Sequence, residues 1–106
     1  MSELPQRDDF AGHLNSNFRV FFDGQSATET ELTQVTKVRE MPRYTAFAIL
    51  LRAPGDTPPE QMLYKVEHDA LGTMELFLVP VQQDEKGLYF EAVFNHPVKR
   101  DDDDDQ

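Results

Sequence analysis

Four times between residues 44 and 95 the chain repeats one arrangement: a short run with apolar side chains at alternate positions, closed by turn-forming residues. YTAFAILLR (44–52) sets Phe47, Ile49 and Leu51 against the small Ala46 and Ala48. MLYKVEH (62–68) alternates Met62, Tyr64 and Val66, and LYFEAVFN (88–95) alternates Leu88, Phe90, Ala92 and Phe94. Successive side chains on a strand point to opposite faces, so period-two apolar spacing predicts strands with one buried face. MELFLVPV (74–81) is apolar in part on both faces, which predicts a central strand, with Pro80 marking an interrupted ladder. The intervening segments, APGDTPP at 53–59, the Gly72-containing 69–73 and DEKG at 84–87, are turn formers.

The first half is less regular. FRVFF (18–22) places Phe18, Val20 and Phe22 on one face of a strand that ends at Asp23-Gly24. TETELTQVTKVR (28–39) is rich in β-branched residues, but Leu32, Val35 and Val38 are three apart, which predicts a strand with a bulge or bend, ended by Met41-Pro42. Before these, Asp8 or Asp9 caps a helical turn through Leu14 with Phe10 and Leu14 on one face, broken by Asn15-Ser16-Asn17. The pattern predicts an all-β fold, a small antiparallel sandwich or partly open barrel of about six strands with a short N-terminal helical turn. Residues 1–7 read as a flexible lead-in, 8–97 as a single domain and 98–106 as an acidic, disordered tail.

Composition narrows the chemistry. Within 106 residues there are eight Phe, enough for a modest core, and no Cys, which removes disulfides, thiolate metal sites and a cysteine nucleophile. The net charge is −10, half of it on the five aspartates at 101–105. Nucleic acid and anionic membrane surfaces both demand a basic face, and Lys37/Arg39/Arg43 and Lys99/Arg100 are small clusters interleaved with acids. No apolar run reaches the roughly 18 residues of a membrane-spanning helix. MSELPQRDDF lacks the apolar core of a signal peptide, so synthesis in the cytoplasm is expected, with signal-independent export or incorporation into an extracellular assembly left open.

Several stretches together carry a family resemblance: FRVFFDGQ, Leu51-Arg52-Ala53-Pro54-Gly55-Asp56, His68 with Leu71-Gly72, Glu75-Leu76-Phe77-Leu78-Val79-Pro80 and Glu91-Ala92-Val93-Phe94-Asn95. Over residues 10–95 the chain resembles an uncharacterised bacterial family of small all-β proteins without an assigned activity. Members of that family are often encoded near phage-tail-collar-type proteins, so the resemblance implies a link to tail-like or fibre-like assemblies and a tail-collar-type protein as partner. It implies no mechanism.

Glu67-His68-Asp69 gathers three potential metal ligands. Neighbouring strand residues face opposite ways, however, and His13 and His96 show no ligand spacing, so neither metal nor cofactor is expected. The expected role of His68 and Asp69 is to hydrogen-bond the backbone of the turn before Gly72, and His68→Ala is then expected to cost little. Ser2, Ser16 and Ser26 show no nucleophile-elbow pattern, and APGDTPP has no phosphate-loop spacing. Glu75 and Glu91 are strand positions able to pair across neighbouring strands. The stiff loop holding Pro54, Gly55, Asp56, Pro58 and Pro59 is the candidate partner contact.

Two functions follow from these features. The first is a non-enzymatic structural or assembly module that binds a protein partner, or its own copies through edge strands guarded by Arg19, Lys37 and Lys65. The alternative is a small enzyme or ligand-binding protein using the carboxylates near Glu67–Asp69 and Glu91.

Overall fold

The computed structural model describes residues 7–97; the lead-in at 1–6 and the tail from 98 onward lie outside the described residues. A short helix, α1 (Arg7–Ala11), precedes seven strands: β1 (Asn17–Val20), β2 (Thr28–Val35), β3 (Arg39–Glu40), β4 (Tyr44–Ala53), β5 (Met62–His68), β6 (Gly72–Asp84) and β7 (Gly87–Pro97). All pairings are antiparallel, in the order β2-β1-β5-β6-β7-β4-β3. A further pairing of β2 with β4 joins the two sides, so six strands form a closed barrel and β3 is an extra strand on β4.

Closure corrects the expected open edges. Arg19 lies on β1 between β2 and β5, and Lys65 lies on β5 between β1 and β6, so neither guards an edge. Among the described residues only β3 has a single neighbour. Nor is β6 more central than the other wall strands.

Alternation builds the interior. Phe18 and Val20, Leu32, Ile49 and Leu51, Val66, Leu78 and Phe90 are fully buried, each on the inward phase of its strand. Two aromatic groups fill the barrel's ends. Near the β1–β2, β4–β5 and β6–β7 connections, the Phe22 ring lies 5.1 Å from both Tyr64 and Phe90. At the opposite end Phe47 and Phe94 stack at 4.8 Å, and Phe10 reaches in from α1 to within 5.1 Å of Phe94 and 6.0 Å of Phe18 and Phe47. A five-residue helix has no stability of its own, so the Phe10 ring, with Arg7 Nε donating to the Thr36 carbonyl (2.7 Å), holds α1 in place as a stopper. The helix begins at Arg7, so Asp8 and Asp9 lie within its first turn instead of capping it, and it ends at Ala11; Leu14 is 46% exposed and does not share the buried face of Phe10. Met62, expected to point inward, is 48% exposed where β5 begins at the rim.

The irregularities fall where composition disturbs the pleat. The β2–β4 register shifts between Leu32 and Gln34, the bulge that accounts for the three-residue spacing. Beyond Val35 the chain continues along β4 through the Thr36 amide donating to the Ala48 carbonyl (2.9 Å), then as β3. A second shift lies between Pro80 and Gln82, as a proline in the β6 ladder demands.

Candidate functional site

The corner that looked most chemical is a structural cap. His68 ends β5 on its inward phase, 6% exposed, with its ring 4.3 Å from Phe18 and 4.7 Å from His13. Its Nδ1 accepts the backbone N–H groups of Ala70 (3.0 Å) and Leu71 (3.2 Å), the backbone role the sequence suggests for this residue. An Nδ1 that accepts carries no proton, so the neutral ring holds its proton on Nε2 and donates it to Ser16 Oγ at 2.9 Å. The Ser16 hydroxyl in turn donates to the His13 carbonyl. This polarity is the reverse of a serine–histidine dyad, in which Nε2 must accept the serine proton. Burial, and secondarily the neighbouring His13, push the His68 pKa below its ordinary value. Gly72 closes the turn with φ +83°, a conformation glycine adopts without strain.

Asp69 does not take part in that cap. It pairs with Arg19 Nη1 at 3.0 Å, and Glu67 lies 3.5 Å from Arg19 Nε and 3.7 Å from Lys65 Nζ. Both carboxylates therefore face one guanidinium on the outer wall, and the pairing, Asp69 first, raises the Arg19 pKa. Glu91 is on β7 opposite Leu50 and Val79, two strands away. Glu75 is opposite Lys65, so Glu75 and Glu91 do not pair across the sheet. Among the described residues no three His, Asp or Glu side chains are placed to hold a metal ion.

The 53–59 loop sits at the end of the barrel remote from α1. The Thr57 amide donates to the Pro54 carbonyl (3.0 Å), and Gln83 Nε2 donates to the Gly55 carbonyl (3.2 Å). Just beyond it, Tyr64 Oη donates to the Glu60 carbonyl (2.8 Å). With its prolines these ties make the loop stiff. Pro54, Asp56, Thr57 and Pro58 form one wall of an open groove of about 340 Å³, and Phe22, Asp23 and Thr28 form the other. Gly55 and Pro59 do not line it. Asp23 Oδ1 is taken up by the amides of Gln25 (2.9 Å) and Ser26 (2.8 Å), which lower its pKa.

A second surface was not singled out from the sequence. The β6–β7 ladder runs from Asp84↔Gly87 to Val79↔Glu91. Beyond that pair β6 keeps its ladder with β5 from Leu78 to Gly72, while β7 keeps its ladder with β4 as far as Pro97. The two strands part there, and between them lies a groove of about 270 Å³ lined by Leu76, Phe77, Ala92, Val93 and Phe94, with Glu75 and Asn95 at its open end. Phe77 and Val93 stand on the outward phase, 52% and 57% exposed, and Leu63, paired with Phe77 across β5–β6, is 58% exposed. The signal was legible in MELFLVPV, since its second apolar face is this outer patch.

The structure thus defines a small closed antiparallel β-barrel with a helical stopper, a stiff loop groove at one end and a parted, apolar seam in its wall. The chain belongs to the family described as domain of unknown function DUF6916, whose model matches residues 5–94. No curated protein and no solved structure matched the chain.

Proposed function

We propose that this barrel is a non-enzymatic structural or assembly module acting through protein–protein contacts, part of or accessory to a tail-like or fibre-like assembly. The observation that carries this reading is the outward apolar strip of Leu63, Phe77 and Val93 on three consecutive wall strands, beside the parted seam. Alternation puts polar side chains on the outer face of a solvated sheet, and clustered exposed apolar side chains mark interaction surfaces. Strand edges without a ladder add backbone hydrogen bonding to the same place. The resemblance to a bacterial family encoded near phage-tail-collar-type proteins supports a tail-collar-type protein as the partner. The loop groove at Pro54, Asp56 and Pro58 offers a second contact at the far end of the barrel.

The test is size-exclusion chromatography with light scattering of the full chain, alone and with the product of each neighbouring gene. A complex with itself or with a neighbour is expected, weakened by Phe77→Gln and Val93→Gln. Those exposed substitutions are expected to change folding stability by less than about 1 kcal/mol. A strict monomer that binds no neighbouring product sinks the reading.

A further inference from the structure

Two features of β3 and the seam remain unexplained by packing. The first is charge. Arg7, Arg19, Arg52 and Lys65 each have a carboxylate within ion-pair distance, whereas Lys86 in the β6–β7 turn and the trio Lys37, Arg39 and Arg43 have none among the described residues. All three are exposed and sit on or beside β3. On the seam the imbalance is reversed: Glu75 and Glu91 have no ion pair among the described residues. The second feature is the backbone. β3 pairs only with β4, so its outer edge is open, and β7 beyond Glu91 has no ladder on its β6 side.

The two surfaces match in chemistry, length and facing. From Glu75 to Val79 the seam spans about 13 Å at the usual strand rise, the reach of four extended residues such as Lys37-Val38-Arg39-Glu40. Lys37 and Arg39 share one phase of that segment, and Val38 and Glu40 the other. Glu75, Phe77 and Val93 occupy the outer phase of the seam, Glu91 follows on the same phase at its closed end opposite Val79, and Leu76 and Phe94 form its floor. A strand laid into the seam with its cations outward sets Lys37 and Arg39 against the unpaired glutamates. Val38, 45% exposed, then meets the floor, with Glu40 on the same phase set at the open end beside Asn95.

Resting on the assembly reading, we propose that copies of this chain associate head to tail, the open β3 edge of one copy entering the parted β6–β7 seam of the next. The two contact surfaces are different, so the contact is heterologous and a joined pair of copies keeps one free edge and one free seam. Such a contact propagates into a filament, or into a ring where the rotation closes.

Sedimentation velocity of the full chain over a wide concentration range tests this, using the wild type, Lys37→Glu/Arg39→Glu, Glu75→Lys/Glu91→Lys and an equimolar mixture of the two variants. The wild type is expected to grow in mass with concentration beyond a dimer. Each double variant is expected to lose about ten-fold or more in association, since like charges then face each other. The mixture is expected to regain it, because the reversed edge of one variant meets the reversed seam of the other. A wild type that stays monomeric, variants that associate as the wild type does, or a mixture without rescue overturns the proposal. A monomeric wild type that still binds a neighbouring gene product through Phe77 and Val93 removes head-to-tail association and leaves the assembly reading intact. A chain that binds neither itself nor a neighbour removes both.

Discussion

His68 sets the energetics of its corner through where its proton sits. With Nδ1 accepting two backbone amides and Nε2 donating to Ser16, the neutral ring satisfies three groups at once, and protonation adds a hydrogen at Nδ1 that faces two donors. A histidine whose folded pKa lies below its unfolded value binds fewer protons folded than unfolded. Its stabilisation is therefore complete above the ordinary value of 6.5 and is lost as pH falls from there toward the lowered folded value. Urea midpoints are expected to drop between pH 7 and pH 5, and the drop is expected to be smaller in His68→Asn, whose carbonyl accepts the same amides without titrating. His68→Ala is expected to cost about 2–3 kcal/mol by equilibrium denaturation, from lost packing on Phe18 and unmet hydrogen bonds, rather than the small cost a bare turn implies. Phe47→Ala and Phe90→Ala, which empty one aromatic group each, are expected to cost about 3–5 kcal/mol in the same experiment. Of this corner the sequence reveals the histidine-to-backbone bonds and the placement of Glu67 on the face opposite His68. Ser16 lies 52 positions away from His68, and no local pattern announces that meeting.

At the scale of elements, the β6–β7 hairpin depends on two residues, Asp84 and Gly87. Asp84 Oδ1 accepts the amides of Lys86 (2.8 Å) and Gly87 (3.2 Å), and Gly87 then adopts φ +153°. A β-carbon at Gly87 would collide with the Ala53 carbonyl on β4. Gly87→Ala is expected to lower stability by about 3 kcal/mol or more in thermal or urea unfolding, combining backbone strain with that collision. Strands were legible because inward positions such as Phe47, Ile49, Leu51 and Phe90 obey strict alternation over their whole length. The bulge in β2 was legible from its broken spacing, and the shift beyond Pro80 from a proline that cannot donate to a ladder. Barrel closure was not, because pairing Leu32 with Leu51 is a choice between strands, and the alternation of each is equally content in a sandwich. The exposure of Phe77 departs from the central strand expected of MELFLVPV for a related reason. Two apolar faces on one strand indicate double burial in most sheets, and here the second face is exposed.

As a whole molecule the barrel has few parts able to fold separately. Closure joins β2 to β4, and β4 lies against β7, so strands from the first and second halves of the chain depend on one another. Unfolding is expected to be a single cooperative transition, with tyrosine fluorescence and far-ultraviolet circular dichroism giving coincident curves. Refolding is expected in the millisecond-to-second range of non-local β topologies. Separated transitions would show that the α1 end opens independently of the wall.

The parting of β6 from β7 also leaves a signature in solvent contact along one strand. Beyond Glu91, alternate amides of β7 point at β4 and are locked in its ladder, while those between them point into the seam. Deuterium uptake over residues 92–96 therefore alternates residue by residue, slow and fast. Any strand that enters the seam slows the fast set and leaves the slow set as it was.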